Sequence, residues 1–160
     1  MKYPAISKKS LALNAIYMSL YVVITIMLQP FSYGQIQVRV SEALCILPLY
    51  DKLSIISITL GCLISNTYMG NIYDMIFGTL ATFIGLIFTY LLRKKNFFVA
   101  TSPTLISNAI IIPFVLKYGY GLNDVVIYMQ ALFILLGEAI SVYFVGYLIR
   151  PLIKNNYKKQ

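Results

Sequence analysis

The sequence has no histidine, and only five of its 160 residues are acidic. Without imidazole, a hydrolytic metal centre would have to be built from carboxylates alone, and these five are scattered along the chain. No nucleophile stands beside an evident base, so the pattern carries no covalent catalysis. A glycine-rich phosphate loop ending in Lys-Ser or Lys-Thr is also missing, so the chain cannot drive transport by binding ATP through such a loop. Any energy source has to come from elsewhere. Cysteine is scarce too: Cys45 and Cys62 lie in apolar surroundings with no paired motif, and read as small buried hydrophobes rather than a metal site or a required disulfide. Charge of either sign is rare, at 11% of residues against about 25% in a soluble domain.

What the chain has is apolar length. It is 59% hydrophobic, and the apolar residues form long blocks rather than amphipathic stripes, the pattern of an integral membrane protein. The blocks predict an all-α bundle of six crossings in one membrane domain, residues 1–160, with spans near 11–28, 41–51 (short), 53–68, 72–92, 100–116 and 124–149. The first block is too long for a cleavable signal and no small-residue cleavage site follows it, so it reads as a span. The formal charge of +8 does not point to nucleic acid, because the basic residues cluster in short loops and at the two ends. Six crossings put eleven of the thirteen Lys and Arg on the side that holds both termini, with Arg39 and Lys117 opposite. That imbalance predicts cytoplasmic termini. Three polar loops rich in glycine and aromatics then gather on the outer face.

The most informative stretch runs from Gln35 to Leu47. Its first half alternates, so in an extended chain Gln37, Arg39 and Ser41 point one way and Ile36, Val38 and Val40 the other. Its second half predicts a helix capped by Ser41, with Glu42 in the first turn where the helix dipole favours a negative charge. That helix runs only to Pro48 or Asp51, about half of the roughly 20 residues needed to cross hydrocarbon. A short helix with a polar loop folded onto it suits the lining of a small binding cavity.

Glu138 is the clearest functional candidate. Counting inward from Arg150 at about 1.5 Å per residue places it near the bilayer centre, where an acidic group is costly and is expected to face a cavity or a partner. A protonated Glu138 bonding between helices is the structural alternative. Arg39 and Glu42, three positions apart, can pair with each other or contact a ligand. Asp74 reads as a helix start or as a ligand contact. Asn66 and Asn108 suit interhelical hydrogen bonds, the commoner role of a membrane Asn, or polar ligand contacts. Tyr68, with Tyr33 and Tyr73, can stack on a flat ligand, although aromatic-belt residues have the same sequence signature. Ala12, Ala15 and Ser19 share one face of the first span. They suit close packing inside the bundle in the first place, and docking of another subunit in the second.

The run Gln37-Val38-Arg39-Val40-Ser41-Glu42-Ala43-Leu44, followed by Leu47-Pro48, resembles the signature of the queuosine-precursor transporter (QueT) family. These are substrate-binding S components of energy-coupling factor (ECF) transporters. The resemblance extends in order and spacing through Gly61 to Asn66, Asp74 with Phe77 to Thr82, Asn108, and Gly137-Glu138. It implies an ECF S-component fold in the plasma membrane of a prokaryote, capturing a deazaguanine precursor of queuosine from outside. It also implies a transmembrane coupling subunit and two cytoplasmic ATPases that consume ATP and drive release inward by toppling of the S component. No cofactor or metal is implied for the chain itself. The family docks through Ala-x-x-x-Ala on the first helix, and the nearest match here is Ala15-x-x-x-Ser19.

On this reading the substrate contacts are Gln37, Arg39, Glu42, Asn66, Tyr68, Asp74, Asn108 and Glu138, and the docking face is Ala12, Ala15 and Ser19. A guanine-like edge offers adjacent N–H and amino donors that one carboxylate can accept together. Glu42 or Glu138 takes that role, with Arg39, Gln37 or Asn108 donating to the ring carbonyl, and Asp74 meets an aminomethyl cation if the ligand carries one. Two readings stay open beside it: an S component for another vitamin or planar solute, and a small membrane enzyme using Glu138 and Asp74 as acid and base.

Overall fold

A chain this apolar has to satisfy its backbone internally wherever it meets lipid, and a helix does so within one segment. The computed structural model describes residues 7–29, 38–121 and 124–158, without the side chains of residues 69, 120, 124, 125 and 158, and its regular structure is helical throughout. Helix α1 is Lys8–Met27 and α2 is Val40–Leu49. Helix α3 is Ser54–Met69, closed by Gly70 in the left-handed conformation at φ 75°. Helix α4, Asp74–Leu91, opens with a π turn over Asp74–Gly78. Helix α5, Phe97–Tyr120, is capped by the Asn96 side chain, which accepts from the Val99 amide at 2.8 Å. Helix α6 is one rod in three pieces: Asp124–Glu138, a π turn over Ala139–Val145, and Gly146–Lys158. Four stretches are long and apolar enough to cross a membrane by themselves: Lys8–Met27, Asp74–Leu91, Phe97–Gly119 and Val126–Tyr157. The shorter apolar helices α2 and α3 bring the number of elements to the six expected.

Helix α2 departs from its sequence reading. It is wound as a 3-10 helix that begins at Val40, with Arg39 in the cap position and no side-chain capping bond. Ser41 is no cap: its hydroxyl lies 2.6 Å from that of Thr25 on α1. Every residue from Ser41 to Pro48 is buried, because α2 is enclosed by α1, α3, α4, α5 and α6. The tighter winding suits that enclosure and also lengthens the element. At about 2.0 Å per residue ten residues reach about 20 Å, against about 15 Å for an α-helix. A segment too short to cross as an α-helix therefore reaches well into the bundle.

Close helix crossings depend on small residues. A Cβ on Gly85 of α4 would sit 2.7 Å from the Thr104 Cα of α5 and 2.8 Å from the Ser107 hydroxyl. One on Gly146 of α6 would lie 3.1 Å from Cγ2 of Ile46 on α2. Large apolar side chains such as Met27, Phe144 and Leu152 face outward, as they do toward lipid in a multi-pass membrane protein.

The two ends of the described chain meet at one end of the bundle. Asn156 donates to the Tyr17 hydroxyl at 3.1 Å, and the Tyr157 ring stacks against both Tyr17 and Tyr50, with centroids 6.4 and 6.3 Å away. Beside them Asp51 accepts from the Ser10 hydroxyl and the Asn14 amide, both at 2.6 Å, and from the Leu53 amide at 3.0 Å. This terminal end is distinct from the loop end, where α2 and α4 begin.

The crossings yield a ranking. Gly85→Ala drives a methyl into a neighbouring backbone and should cost about 1–3 kcal/mol, as overpacking does. Gly146→Ala meets the Ile46 Cγ2 methyl at 3.1 Å and the Ala43 carbonyl at 3.4 Å, longer contacts that should cost less. Apparent Tm values of the two purified variants in detergent check the order.

Candidate functional site

Burying a charge is expensive unless it is paired or hydrogen-bonded. Among the described residues four charged side chains are buried: Arg39, Glu42, Asp74 and Glu138, at 5, 0, 3 and 4% exposure. The sequence had singled out all four. They come from three elements. Arg39 directly precedes α2 and Glu42 occupies its first turn; Asp74 opens the π turn of α4, and Glu138 stands just before the π turn of α6.

Arg39 pairs with Asp74, its Nη2 lying 3.2 Å from Oδ2, rather than with Glu42. The backbone explains the choice. Arg39 has extended dihedrals, φ −85° and ψ 92°, so its side chain leaves toward α4. Glu42 is inside the 3-10 turn, where positions i and i+3 eclipse, and so it faces the bundle on the same side as Cys45. Glu42 Oε1 accepts from the Tyr21 hydroxyl at 2.5 Å, and Oε2 accepts from the Cys45 thiol at 2.8 Å.

Asp74 is held by its neighbours on both sides. Asn66 donates to the Asp74 backbone carbonyl at 3.1 Å, bridging α3 to α4 at the π turn, where the regular helical pairing of carbonyls is broken. Asn71 accepts from the amides of Tyr73 and Asp74 at 2.9 and 3.3 Å and donates to the Gly119 carbonyl at 3.0 Å, so the end of α5 is fastened to the same turn. A Cβ on Gly78 would overlap Asp74 Oδ1. That oxygen is buried and has no hydrogen-bond partner among the described residues.

Glu138 repeats the arrangement. Its Oε1 accepts from the Asn108 amide at 2.8 Å, while Oε2 is buried without a partner among the described residues. The π turn that follows Glu138 packs against α2, the helix that carries Glu42 and directly follows Arg39. Chemically, the group can receive N–H or ammonium donors at two carboxylate oxygens, with a guanidinium paired to one of the acids.

Other expected site residues lie elsewhere. Tyr68 is 64% exposed and does not join the cluster. Gln37 and Tyr33 fall outside the described residues. Asn66 shapes the Asp74 turn and also lines a depression of about 180 Å³ with Thr67, Gly70, Asn71, Ile72 and Met75. Ala12, Ala15 and Ser19 are exposed, so this small-residue face is not used for packing within the bundle. Ala15 and Ser19 border a shallow groove of about 360 Å³ with Ile16, Leu20 and Val23.

Tyr21, Thr25, Cys45 and Gly78 complete the site and were not foreseen. A signal for the first two exists: Ser10, Asn14, Tyr17, Tyr21 and Thr25, the buried residues of α1, recur every three or four positions and form a polar stripe opposite the small one.

Removing one partner of a buried pair strands the other, typically at a cost of about 3–5 kcal/mol. Arg39→Gln should therefore lower the apparent Tm sharply, and Arg39→Gln with Asp74→Asn should lower it less than the single change. A double-mutant cycle of thermal unfolding in detergent measures that coupling.

Comparison with known proteins adds a second line of observation. Residues 11–155 match the QueT transporter family. The queuosine precursor transporter QueT of Lactococcus lactis subsp. cremoris (strain MG1363) is 43% identical over 72 residues, which is 44% of this chain and 43% of that protein. The alignment thus spans less than half the length of that relative. No solved structure matches. The family match runs from the first turn of α1 to the last turns of α6 and takes in all four buried charges, and the chain belongs to the QueT transporter family.

Proposed function

We propose that the chain is the substrate-binding S component of an ATP-driven ECF importer, and that it captures a queuosine precursor, a deazaguanine-type base, from outside. The observation that carries this reading is Glu138 Oε2, a buried carboxylate oxygen inside a transmembrane helix with no protein donor among the described residues. An intramembrane acid in that state calls for a ligand. A guanine-like edge supplies the adjacent N–H and amino donors that a carboxylate accepts. Of the two acids first considered for that edge, Glu42 already accepts on both oxygens, which favours Glu138. Asn108 then orients Glu138, and Arg39 is the nearest cation for the ring carbonyl. Asn66 acts on the ligand through the Asp74 turn.

The exposed basic residues Lys52, Arg93, Lys94, Lys95 and Lys154 belong to the cytoplasmic face, with both termini, of a prokaryotic plasma membrane. The loop end then faces outward and receives the base. Ala12, Ala15 and Ser19 form the surface for a transmembrane coupling subunit, whose two ATPases supply the energy that this chain does not.

Three measurements test the reading. Mass analysis of ligand released from the purified protein should find a deazaguanine. Glu138→Gln keeps the size of the side chain but replaces the open acceptor, and should weaken binding of that base about 10- to 100-fold, the worth of a hydrogen bond to a charged group; unchanged affinity removes Glu138 from the site. Ala15→Phe should abolish co-purification of the coupling subunit and ATPases while leaving base affinity within about twofold, since α1's exposed face is separate from the buried charges.

A further inference from the structure

At the terminal end of the bundle, basic side chains stand without acids to neutralise them. Arg93, Lys94 and Lys95 follow α4 in the turn that leads to α5, and all three are exposed, as is Lys154 near the end of α6. Asp51 is the carboxylate described at this end, and Ser10, Asn14 and the Leu53 amide already occupy it. Two arginines are held in place by aromatic rings. Arg93 lies over Tyr90, its Cζ 4.0 Å from the ring centroid, and donates to the Tyr90 carbonyl at 2.9 Å. Arg150 donates to the Tyr50 hydroxyl at 3.1 Å and lies over the Phe97 ring, 5.2 Å from its centroid. That contact brings the charge of α6 to the start of α5, two residues from Lys95.

Beside this rim stands an aromatic wall. Phe98 and Tyr147 stack with centroids 6.0 Å apart, and they are 52% and 50% exposed. Tyr143 meets Phe98 edge-on at 5.3 Å and donates to its backbone carbonyl at 3.2 Å, which fixes the wall. In a multi-pass membrane protein an exposed apolar face meets acyl chains of any lipid, so the wall alone selects nothing. The rim does. A zwitterionic headgroup would bring its own cation against the basic side chains, and a free phosphate would leave the wall unused. An anionic phospholipid satisfies both, with an acyl chain along the rings and a phosphate among the guanidinium and ammonium groups.

We propose that this corner of α4, α5 and α6 binds an anionic phospholipid, its phosphate on Arg93, Lys94 and Arg150 and its chain against Phe98 and Tyr147. The corner lies on other helices than the small-residue stripe of α1, and the inference depends neither on the solute nor on which end is cytoplasmic.

The test offers the purified chain in detergent an equimolar mixture of phosphatidylglycerol and phosphatidylcholine with matched chains, and counts retained lipids by native mass spectrometry. The wild-type chain should retain phosphatidylglycerol at least about 10-fold over phosphatidylcholine, since each basic residue near an anionic headgroup is worth about fivefold. Arg93→Gln should lower that ratio about three- to fivefold, whereas Lys8→Gln, which removes the same charge on α1, should change it by less than about 1.5-fold. Phe98→Ala should reduce retention of both lipids at least about threefold and leave their ratio unchanged. Equal retention by the wild-type chain, or equal loss of preference in the Arg93 and Lys8 variants, overturns the proposal. Displacement of the lipid by inorganic phosphate overturns it in favour of a free anion. Loss of the coupling subunit from Arg93→Gln with the lipid ratio intact overturns it in favour of a protein partner.

Discussion

The structure depends on one desolvated ion pair. Arg39 and Asp74 are separated by 35 residues and both are almost wholly buried. Neither charge is tolerable there alone. Their union ties the start of α2 to the start of α4. From that point the 3-10 helix enters the bundle and turns Glu42 toward Tyr21, and the π turn of α4 turns Asp74 toward Arg39. Asn66, Asn71 and Gly78 are arranged around the pair. The cluster is better understood as a consequence of this pairing than as four independent placements.

The helix irregularities follow the same logic. A regular α-helix points its side chains at fixed angles, and a membrane bundle leaves few positions where an acid can be tolerated. Both π turns adjoin a buried acid, Asp74 in one and Glu138 before the other. Widened turns of this kind recur at functional sites because they re-aim a side chain without breaking the rod. The backbone groups they disturb still need partners in a medium without water, and Asn66 meets that need at the first turn.

How much of this was legible in the sequence varies with the physics involved. Helical class and the number of elements follow from apolar block length. The four buried charges stood out because an ionisable group between long apolar runs is conspicuous. Their partners did not, since pairing Arg39 with Asp74 rather than Glu42 depends on backbone dihedrals and on a 3-10 winding imposed by enclosure, and neither is written in residue type. Tyr68 was read as a stacking candidate from composition, but its helix turns it outward. The α1 faces are instructive. The small residues at 12, 15 and 19 looked like an internal seam, yet the interior of a polar-centred bundle claims the opposite stripe, Asn14 through Thr25. In lipid the inward face of a helix need not be the apolar one.

That inward stripe has a bearing on biogenesis. Its lower part is completed by Asn156 and Tyr157, about 139 residues further along the chain, and its upper part by Ser41 and Glu42. A ribosome adding about 5–20 residues per second leaves α1 in the bilayer on the order of ten seconds before its last neighbours emerge. Throughout that interval Tyr17 waits for Asn156, whereas Thr25, Tyr21 and Asn14 meet Ser41, Glu42 and Asp51 after 16, 21 and 37 residues. Helix α1 is therefore sealed only when the last turns of α6 arrive, and until then the lower part of its polar stripe needs a temporary companion at the translocon.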